Sequence, residues 1–430
     1  MAAHPCLSRH LDDLPMLGYI LRQAGDNHGR TSWPSICKRD IARIHDILRR
    51  RPFRIFLDAP PDPEALGLSD FIPTMRGQEI CAGIAVLDDM CQHEQLQGDP
   101  LFLSQVVAAW PGLYAWFEFL FPMNYPLDYS TLTGDAASHT LAPALASASA
   151  ILSSITTRLA LSRAQWEEIL DAPHSALGLA VSFYVGCLGL PGLPTRIPRT
   201  DPLLLPLYES NNSLRKCLHV VIAQMDKGYL ATAVILEVLK GHPRRLLRAL
   251  GRFTWIIIHS EGAKRLLSVH LKLALSVIDL LRPQYSRVLI KGLLEVLKLS
   301  CTNDESVFLS AYTPMAHLCF RNCHALRLAI KYGALSYVDQ GFRDWSRDLS
   351  EETFFRVLGS SLVYRKTIAT ISRALEGHSI GNYFLLGTLV EKIQATAEVL
   401  HKCKRSWVQD VRCSNMEASQ PFKFLHATCN

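Results

Sequence analysis

Apolar residues recur at helical spacing along most of the chain. The clearest stripes are Ile41, Ile44, Ile47 and Leu48; Leu266, Val269, Leu273, Val277 and Leu280; Leu289, Leu293, Val296 and Leu297; and Leu386, Leu389, Ile393, Ala397 and Leu400. Spacings of three and four residues put each set on one face of a helix. Period-two alternation, which is typical of strands, is nearly absent. The sequence therefore predicts an all-α protein.

Local signals indicate where several of these helices begin and end. Ser162-Arg-Ala-Gln165 has the form of a capping box, and Asn303-Asp-Glu and Asp348-Leu-Ser-Glu are further helix starts. Gly241-His-Pro and Arg282-Pro are stops. The predicted helices are mostly 10–20 residues long, by the usual length of globular helices.

Several predicted helices, including 229–240, 253–258 and 354–375, are apolar on more than one side. A helix buried on several sides suits stacked layers better than a single four-helix bundle. We therefore predict an irregular stacked-helix superhelical array of the armadillo or HEAT kind, although the sequence contains no repeat of fixed period.

Charge and proline content divide the predicted array. Residues 35–188 form an acidic helical half and residues 212–410 a basic helical half, joined by a proline-rich loop at 189–211. Residues 1–34 are expected to be poorly ordered, and residues 411–430 form a separate tail.

The charge difference between the halves is large. Positions 62–171 contain fourteen acidic and three basic residues, whereas positions 196–298 contain seventeen basic and seven acidic residues. The whole chain is only mildly basic, with a net charge of +6. This pattern indicates either a surface that selects charged partners or two ordinary solvated faces.

No membrane segment is predicted. Residues 172–195 contain no charged side chain, but their apolar run is shorter than the ~20 residues of a spanning helix, so we expect a buried helix. The residues after Met1 have no apolar core of the signal-peptide kind. With twelve irregularly spaced cysteines, the chain is expected to be intracellular, in the cytoplasm or nucleus, with mostly buried thiols.

Two residue clusters could suggest chemistry, and both are better explained by packing. The segment 109–121 carries aromatic residues at helical spacing, which predicts a buried helix more strongly than a peptide groove. Cys319 and Cys323 lie four residues apart beside His324, but one helix cannot surround zinc tetrahedrally and no second ligand pair is evident.

Motifs of nucleophilic, phosphate-binding and metal-dependent enzymes are also missing. We therefore predict a protein that is not an enzyme.

A basic ridge is the main candidate for partner binding. Arg244, Arg245, Arg248 and Arg252 share one predicted helix, and Lys264, Arg265 and Lys272 extend the ridge into the next. A nucleic acid or another anionic partner could bind such a surface, and a solvated helix face would have the same pattern.

The tail carries a resemblance to a known family. The run Arg412-Cys-Ser-Asn-Met-Glu, after a Trp-bearing helix, resembles the entry to the MYND-type zinc finger of a group of filamentous-fungal (basidiomycete, mushroom-type) proteins. A Trp-Pro, Trp, Phe-Leu helix like that at 109–121 also precedes the finger in those proteins. The resemblance implies a helical region followed by a finger that binds two zinc ions and short proline-containing peptides.

The finger is incomplete in this sequence. Cys413 matches the first ligand, Ala418 stands where the second ligand is expected, and His426 and Cys429 stand where a cysteine pair is expected. Because three candidate ligands cannot hold two zinc ions, we predict no zinc or other cofactor unless residues beyond Asn430 complete the finger. The sequence thus predicts a non-catalytic helical scaffold for protein–protein interaction, of unidentified partner. The alternative is a helical-repeat nucleic-acid-binding protein that uses the ridge at 244–272.

Overall fold

The computed structural model describes residues 13–26, 36–64, 66–120, 129–170, 174–198, 201, 203–224, 229–260, 264–281, 284–345 and 370. Within these ranges the regular structure consists of helices, and no strand occurs. The prediction of an all-α array of stacked helices is confirmed for this part of the chain. The stripe at 386–400, the helix at 354–375 apart from Thr370, and the start signal at Asp348 lie outside it.

The first part of the array includes a short 3-10 helix, Pro52–Phe56. Its α-helices are α1 Asp13–Asp26, α2 Lys38–Leu48, α3 Leu68–Phe71, α4 Met75–Gln92, α5 Glu94–Gln97, α6 Pro100–Phe119, α7 Tyr129–Thr133, α8 Asp135–Thr157, α9 Arg163–Leu170 and α10 Ala176–Gly189.

The second part begins after the proline-rich connection. Its α-helices are α11 Leu204–Gln224, α12 Tyr229–Val238, α13 Arg244–His259, α14 Lys264–Leu280, α15 Arg287–Ser300, α16 Glu305–Arg321, α17 Cys323–Lys331 and α18 Ala334–Trp345.

The predicted helix starts are built by side-chain caps. At α9 the Gln165 backbone N–H donates to Ser162 Oγ (3.3 Å), and the Ser162 N–H donates to Gln165 Oε1 (2.9 Å). This is the reciprocal capping box that the sequence predicted. At α16 the Asp304 carboxylate accepts from the Val307 N–H at 3.0 Å. Each cap satisfies donors that the first helical turn cannot satisfy itself.

The two charge halves share one hydrophobic core. Buried apolar residues form a continuous cluster from Leu14 in α1 to Val338 in α18. Helix α8 of the acidic half packs along α11 of the basic half, and α10 contacts α11, α12 and α13. The proline-rich connection therefore joins two parts of one packed array.

Helices α13 and α15 cross at a very short distance because glycine occupies the crossing point. A Cβ added at Gly251 would lie 2.4 Å from the Leu289 backbone nitrogen. A Cβ at Gly292 would lie 3.0 Å from the Gly251 carbonyl oxygen. The absence of side chains at these two positions lets the backbones approach directly, which fixes the positions of the two helices relative to each other.

Two boundary predictions differ from the structure. Part of 1–34 is ordered as α1, whose Leu14, Leu17, Ile20 and Leu21 are buried. The loop predicted at 189–211 ends earlier, since α11 begins at Leu204. Proline is tolerated in the first helical turn, where amide donors have no intrahelical acceptor, so Pro206 does not prevent this start. Helix α6 likewise has a proline, Pro100, in its first turn.

The packing explanations for the apolar segments are confirmed. Trp110, Trp116 and Phe117 of α6 are fully buried, and Trp110 Nε1 donates to the His174 carbonyl at 2.8 Å. The uncharged segment at 172–195 contains α10, a helix of 14 residues buried on nearly all sides. Among the described helices, none combines the length and the apolar character needed to cross a membrane.

Candidate functional site

The candidate site is a basic surface that begins at the first turn of α13. Arg244, Arg245 and Arg248 are exposed, while Leu246, Leu247 and Leu250 of the same helix are buried. The apolar stripe anchors the helix to the core and turns the three guanidinium groups to solvent. The structure thus places three of the four predicted ridge residues on one exposed face.

Arg252, the fourth predicted ridge residue, is only half exposed. It follows Gly251, where α15 crosses α13. Burial lowers the pKa of Arg252, and the positive charge of Arg248 one turn earlier lowers it further. The exposed positive face of α13 is therefore concentrated at its beginning.

Arg244 is held in place by two neighbours from the loop before α15. Its Nε donates to Gln284 Oε1 at 3.2 Å, and its guanidinium carbon lies 5.7 Å from the centre of the Tyr285 ring. The Tyr285 ring is in turn stacked on the His324 ring, with centres 6.3 Å apart. Arg327 lies 2.6 Å from His324 Nδ1. These contacts connect the start of α13 to α17.

A second group of cations surrounds Tyr332, which follows α17. The Arg287 guanidinium lies 5.6 Å from the centre of this ring, and Lys291 Nζ lies 5.1 Å from it. Cations placed over aromatic faces gain ~0.5–1 kcal/mol each at exposed sites. We define the basic belt as Arg244, Arg245, Arg248, Arg287, Lys291 and Arg327, with Tyr285, His324 and Tyr332 between them.

The belt differs from the surface extension that the sequence predicted. Arg265 and Lys272 are exposed on α14. The contacts of Arg244 lead instead to α15 and α17. Sequence reasoning missed Arg287, Lys291 and Arg327, because residues on separate helices reveal a shared surface only after folding.

An open cleft of about 650 Å³ lies at the start of α13. Its lining residues are Leu236, Gly241, His242, Pro243, Arg244, Arg245, Arg248 and Gln284. The lining contains three arginines and no carboxylate. Guanidinium groups that face a cleft without counter-charge produce a positive potential there, and this potential favours an anion.

Arginines of the acidic half are arranged differently. Arg50 pairs with Asp13 at 2.7 Å, and Arg76 pairs with Asp58 at 2.7 Å. In the part of the chain that the structure describes, no ion pair joins a belt cation to an acidic side chain. Arg50 and Arg76 are thus paired with carboxylates of the same chain, whereas the belt residues Arg244, Arg245, Arg248, Arg287 and Lys291 are exposed.

A group of ionisable side chains also lies between α4, α8 and α11. In this polar seam, Gln92 Nε2 donates to Asp88 Oδ1 at 3.0 Å, and Gln92 Oε1 accepts from an Arg158 guanidinium N–H. Lys216 Nζ donates to Thr157 Oγ1 at 2.8 Å. Burial raises the pKa of Asp88 to about 6, against hydrogen bonds and the Arg158 charge that lower it. Burial, followed by the Asp88 charge, also raises the pKa of Glu209.

One fully buried histidine lies beneath the start of the belt. His270 of α14 pairs through Nδ1 with Asn211 Oδ1 at 2.8 Å and through Nε2 with Thr254 Oγ1 at 2.9 Å. Its Nε2 also lies 3.1 Å from the Leu250 carbonyl oxygen. Burial lowers the pKa of His270 to about 4, so the ring is neutral at pH 7. The ring fastens α13 to α11 and α14 by hydrogen bonds between neutral groups.

The structure divides the cysteine and histidine cluster near residue 320 between two helices. Asn322 interrupts the helix that the sequence predicted, and its side chain caps α17, so Cys319 and Cys323 lie on different helices. Cys319 is buried, and His324 lies in the belt. No group of three or more potential metal ligands occurs among the described residues. The predicted finger ligands Cys413, His426 and Cys429 lie outside those residues.

No protein-family model and no curated protein matches this chain.

Proposed function

We propose that this protein is a non-catalytic helical scaffold that binds an acidic segment of a protein partner on the basic belt. The observation that carries the proposal is the set of exposed cations on α13 and α15, of which Arg244, Arg287 and Lys291 lie over aromatic rings. Among the described residues, no ion pair joins them to a carboxylate. Such cations keep their charge available to a partner. The glycine crossing of α13 and α15 supports a belt of fixed spacing.

An acidic protein segment fits the belt better than a nucleic acid does. Bases bind single-strand-binding proteins by stacking on open aromatic faces. Tyr285 and Tyr332 pack against the hydrophobic core, and basic side chains already cover their rings. A nucleic acid would therefore contact only the cations, through its phosphates. We keep nucleic-acid binding as the alternative because phosphate contacts alone give strong, sequence-independent affinity at low salt.

The chemistry of the buried groups supports a non-catalytic role. Burial raises the pKa of Cys81 to about 11 and that of Cys217 to about 12, so both thiols are protonated and weakly nucleophilic near pH 7. His270 uses both ring nitrogens in contacts between helices. These groups are engaged in packing and are not directed toward an open cavity.

Relationship to the MYND-type zinc finger proteins also remains a proposal, supported by Cys413-Ser-Asn and by the Trp-Pro helix at 109–121. Ala418 supports the further proposal that residues 411–430 do not hold zinc by themselves. Under this proposal, partner binding depends on the helical part of the protein.

Charge reversal on α13 tests the proposed function. The probe is a fluorescently labelled 20-residue peptide rich in Asp and Glu, and binding is measured by fluorescence anisotropy at two salt concentrations. We expect Arg244→Glu with Arg248→Glu to weaken binding by about tenfold or more, because two attractive contacts become repulsive. The control is Arg49→Glu with Arg163→Glu, the same charge change on arginines of the acidic half whose side chains are 65% and 88% exposed.

Equal weakening by the control pair would show that only net charge matters, and it would contradict the proposal. Absence of peptide binding by the wild-type protein at low salt would also contradict it. Tighter binding of a 20-nucleotide single-stranded RNA or DNA, lost in the α13 variant alone, would favour the nucleic-acid alternative.

A further inference from the structure

We propose that the cleft at the start of α13 binds one phosphate monoester group, carried by a phosphorylated serine or threonine of the protein partner. This inference rests on the proposed function and adds the chemical group that the partner presents. It follows from the identity of the cleft residues, from their spacing and from the way Arg244 is held.

The cleft brings guanidinium groups together without an acidic neighbour. Arg244, Arg245 and Arg248 line it, and its remaining lining residues are neutral or imidazole-bearing. Grouping three like charges in this way has an electrostatic cost. An anion in the cleft would remove this repulsion and would receive charge-assisted hydrogen bonds.

One of these arginines is already fixed in a binding position. Arg244 donates to Gln284 through Nε and lies over the Tyr285 ring, so its side chain loses little conformational freedom when an anion binds. A guanidinium group presents five N–H donors in a planar fork, and the bond to Gln284 uses Nε. The donors of the two terminal nitrogens would then serve the oxygens of a ligand, and a planar guanidinium fork suits phosphate.

The spacing of the charges favours a single dianion over a row of phosphodiesters. Arg244 and Arg248 are one turn apart, which corresponds to a rise of about 6 Å along the helix axis. One turn further, Arg252 is half-buried, so the exposed positive charge does not continue along α13. A phosphorylated side chain carries about −1.5 to −2 charges at pH 7 on three acceptor oxygens, which matches a compact group of arginines.

Under this proposal, the belt residues outside the cleft bind a different part of the partner. Arg287 and Lys291 belong to α15 and lie near the Tyr332 ring. Neither residue lines the cleft. Acidic residues that flank the phosphorylated position would interact with this part of the belt. The cleft would therefore supply specificity for the phosphoryl group, and Arg287 and Lys291 would supply general attraction for acidic sequence.

Four labelled 15-mers test the inference by fluorescence anisotropy at fixed salt. Two peptides contain only Gly and Ala around a central phosphoserine or a central Ser. The third is the same peptide with Glu at the centre, and the fourth probe is a thymidine oligonucleotide. We expect the phosphoserine peptide to bind about tenfold or more tightly than the Ser and Glu peptides, as one or two additional charge-assisted hydrogen bonds would give.

Two double variants identify the place of binding. We expect Arg245→Gln with Arg248→Gln to bring the preference for phosphoserine over Glu close to one. The matched pair Arg287→Gln with Lys291→Gln removes the same charge from exposed positions outside the cleft. It should weaken binding of the Asp- and Glu-rich peptide and leave the phosphoserine preference unchanged.

Several outcomes would overturn the inference. Equal binding of the phosphoserine and Glu peptides would remove the phosphoryl site, while binding of the acidic 20-residue peptide would leave the proposed function intact. A preference that survives in the Arg245/Arg248 variant would place the phosphate elsewhere. Tighter binding of the oligonucleotide than of the phosphoserine peptide would point to phosphodiesters. If neither acidic nor phosphorylated peptides bind, the inference and the proposed function both fail.

Discussion

Helix α11 contributes to two helix interfaces that differ in the burial and charge of their ionisable groups. Toward α13 and α14, Asn211 contacts a histidine that is fully buried and neutral. Toward α4 and α8, the polar seam contains Asp88, Glu209 and Lys216, all partly open to solvent. Ionisable groups thus enter both interfaces, but those of the seam are partly exposed and lie beside opposite charges.

The two interfaces hold different parts of the protein together. The neutral interface lies under α13, the helix that begins the basic belt, and it holds that helix through bonds that need no charge. The seam joins the acidic half to the basic half through α8 and α11. We therefore expect protonation of His270 to destabilise the interface that holds α13. Protonation of Asp88, in the contact between the two halves, should instead stabilise the folded protein.

The largest effect is expected from displacing α13, the helix that the neutral interface holds, by the substitution Gly251→Ala at its crossing with α15. The new Cβ would lie 2.4 Å from the Leu289 nitrogen and 2.5 Å from the Val288 carbonyl carbon, and backbone atoms cannot rotate away. We expect a loss of about 3 kcal/mol in the free energy of unfolding, the upper part of the usual cost of overpacking. Chemical denaturation of the purified protein measures it.

Gly189→Ala is the matched control for this prediction. Gly189 is exposed at the end of α10, and an added Cβ there meets no atom within 4 Å. Its stability should change by less than ~0.5 kcal/mol, as for surface substitutions in general. Equal effects of the two substitutions would mean that the glycine crossing does not hold α13 in place.

Protonation of His270 is the next largest effect. The folded-state pKa of about 4 lies below the ordinary value of 6.5, so the unfolded chain binds this proton more readily. Stability from the neutral ring is present above pH 6.5 and is lost as pH falls toward 4. Between pH 7.5 and 4.5 the loss is about 2.5 kcal/mol by this linkage.

The variant His270→Gln isolates this effect because an amide keeps a donor and an acceptor but does not titrate. The free energy of unfolding is measured for both proteins at both pH values. Acidification should shift the difference between them by about 2.5 kcal/mol in favour of the variant. A difference that stays constant from pH 7.5 to 4.5 would show that His270 is not kept neutral by its surroundings.

Much of the fold could be predicted from the sequence because its signals are local. Helical spacing, the Ser162 capping box and the buried aromatic helix each depend on residues within a few turns of one another. The choice of packing partner is not local. Nothing in the spacing of 204–224 indicates that one side of α11 meets His270 and the other meets Asp88.

The candidate site, too, could be predicted only where its residues are close in sequence. Arg244, Arg245 and Arg248 were predicted together because they share one helix. Arg327 is connected to Arg244 through Tyr285 and His324, which the fold brings together from distant positions. Arg287 likewise meets Tyr332 only in the folded chain. The sequence also could not show that Arg252 is half-buried, because the burial of a side chain depends on how the helices pack.

Asp88 gives the smallest of these effects, and its sign is opposite to that of His270. Burial raises the folded-state pKa of its carboxyl from 3.8 to about 6, so the folded protein binds this proton more readily than the unfolded chain. Asp88 therefore contributes stability below pH 4, and this contribution is lost as pH rises through 6. Because the side chain is partly exposed, we expect only about 1 kcal/mol between pH 4.5 and 7.5.

The variant Asp88→Asn keeps the shape of the side chain and removes its charge. Relative to the wild-type protein, it should gain stability at pH 7.5 and lose that gain at pH 4.5, a shift of about 1 kcal/mol in chemical denaturation. His270→Gln changes in the other direction over the same range, so each variant is the control for the other. If both shifted in the same direction, the two interfaces of α11 would respond alike to protonation, and the difference between a neutral and a titrating side of this helix would be disproved.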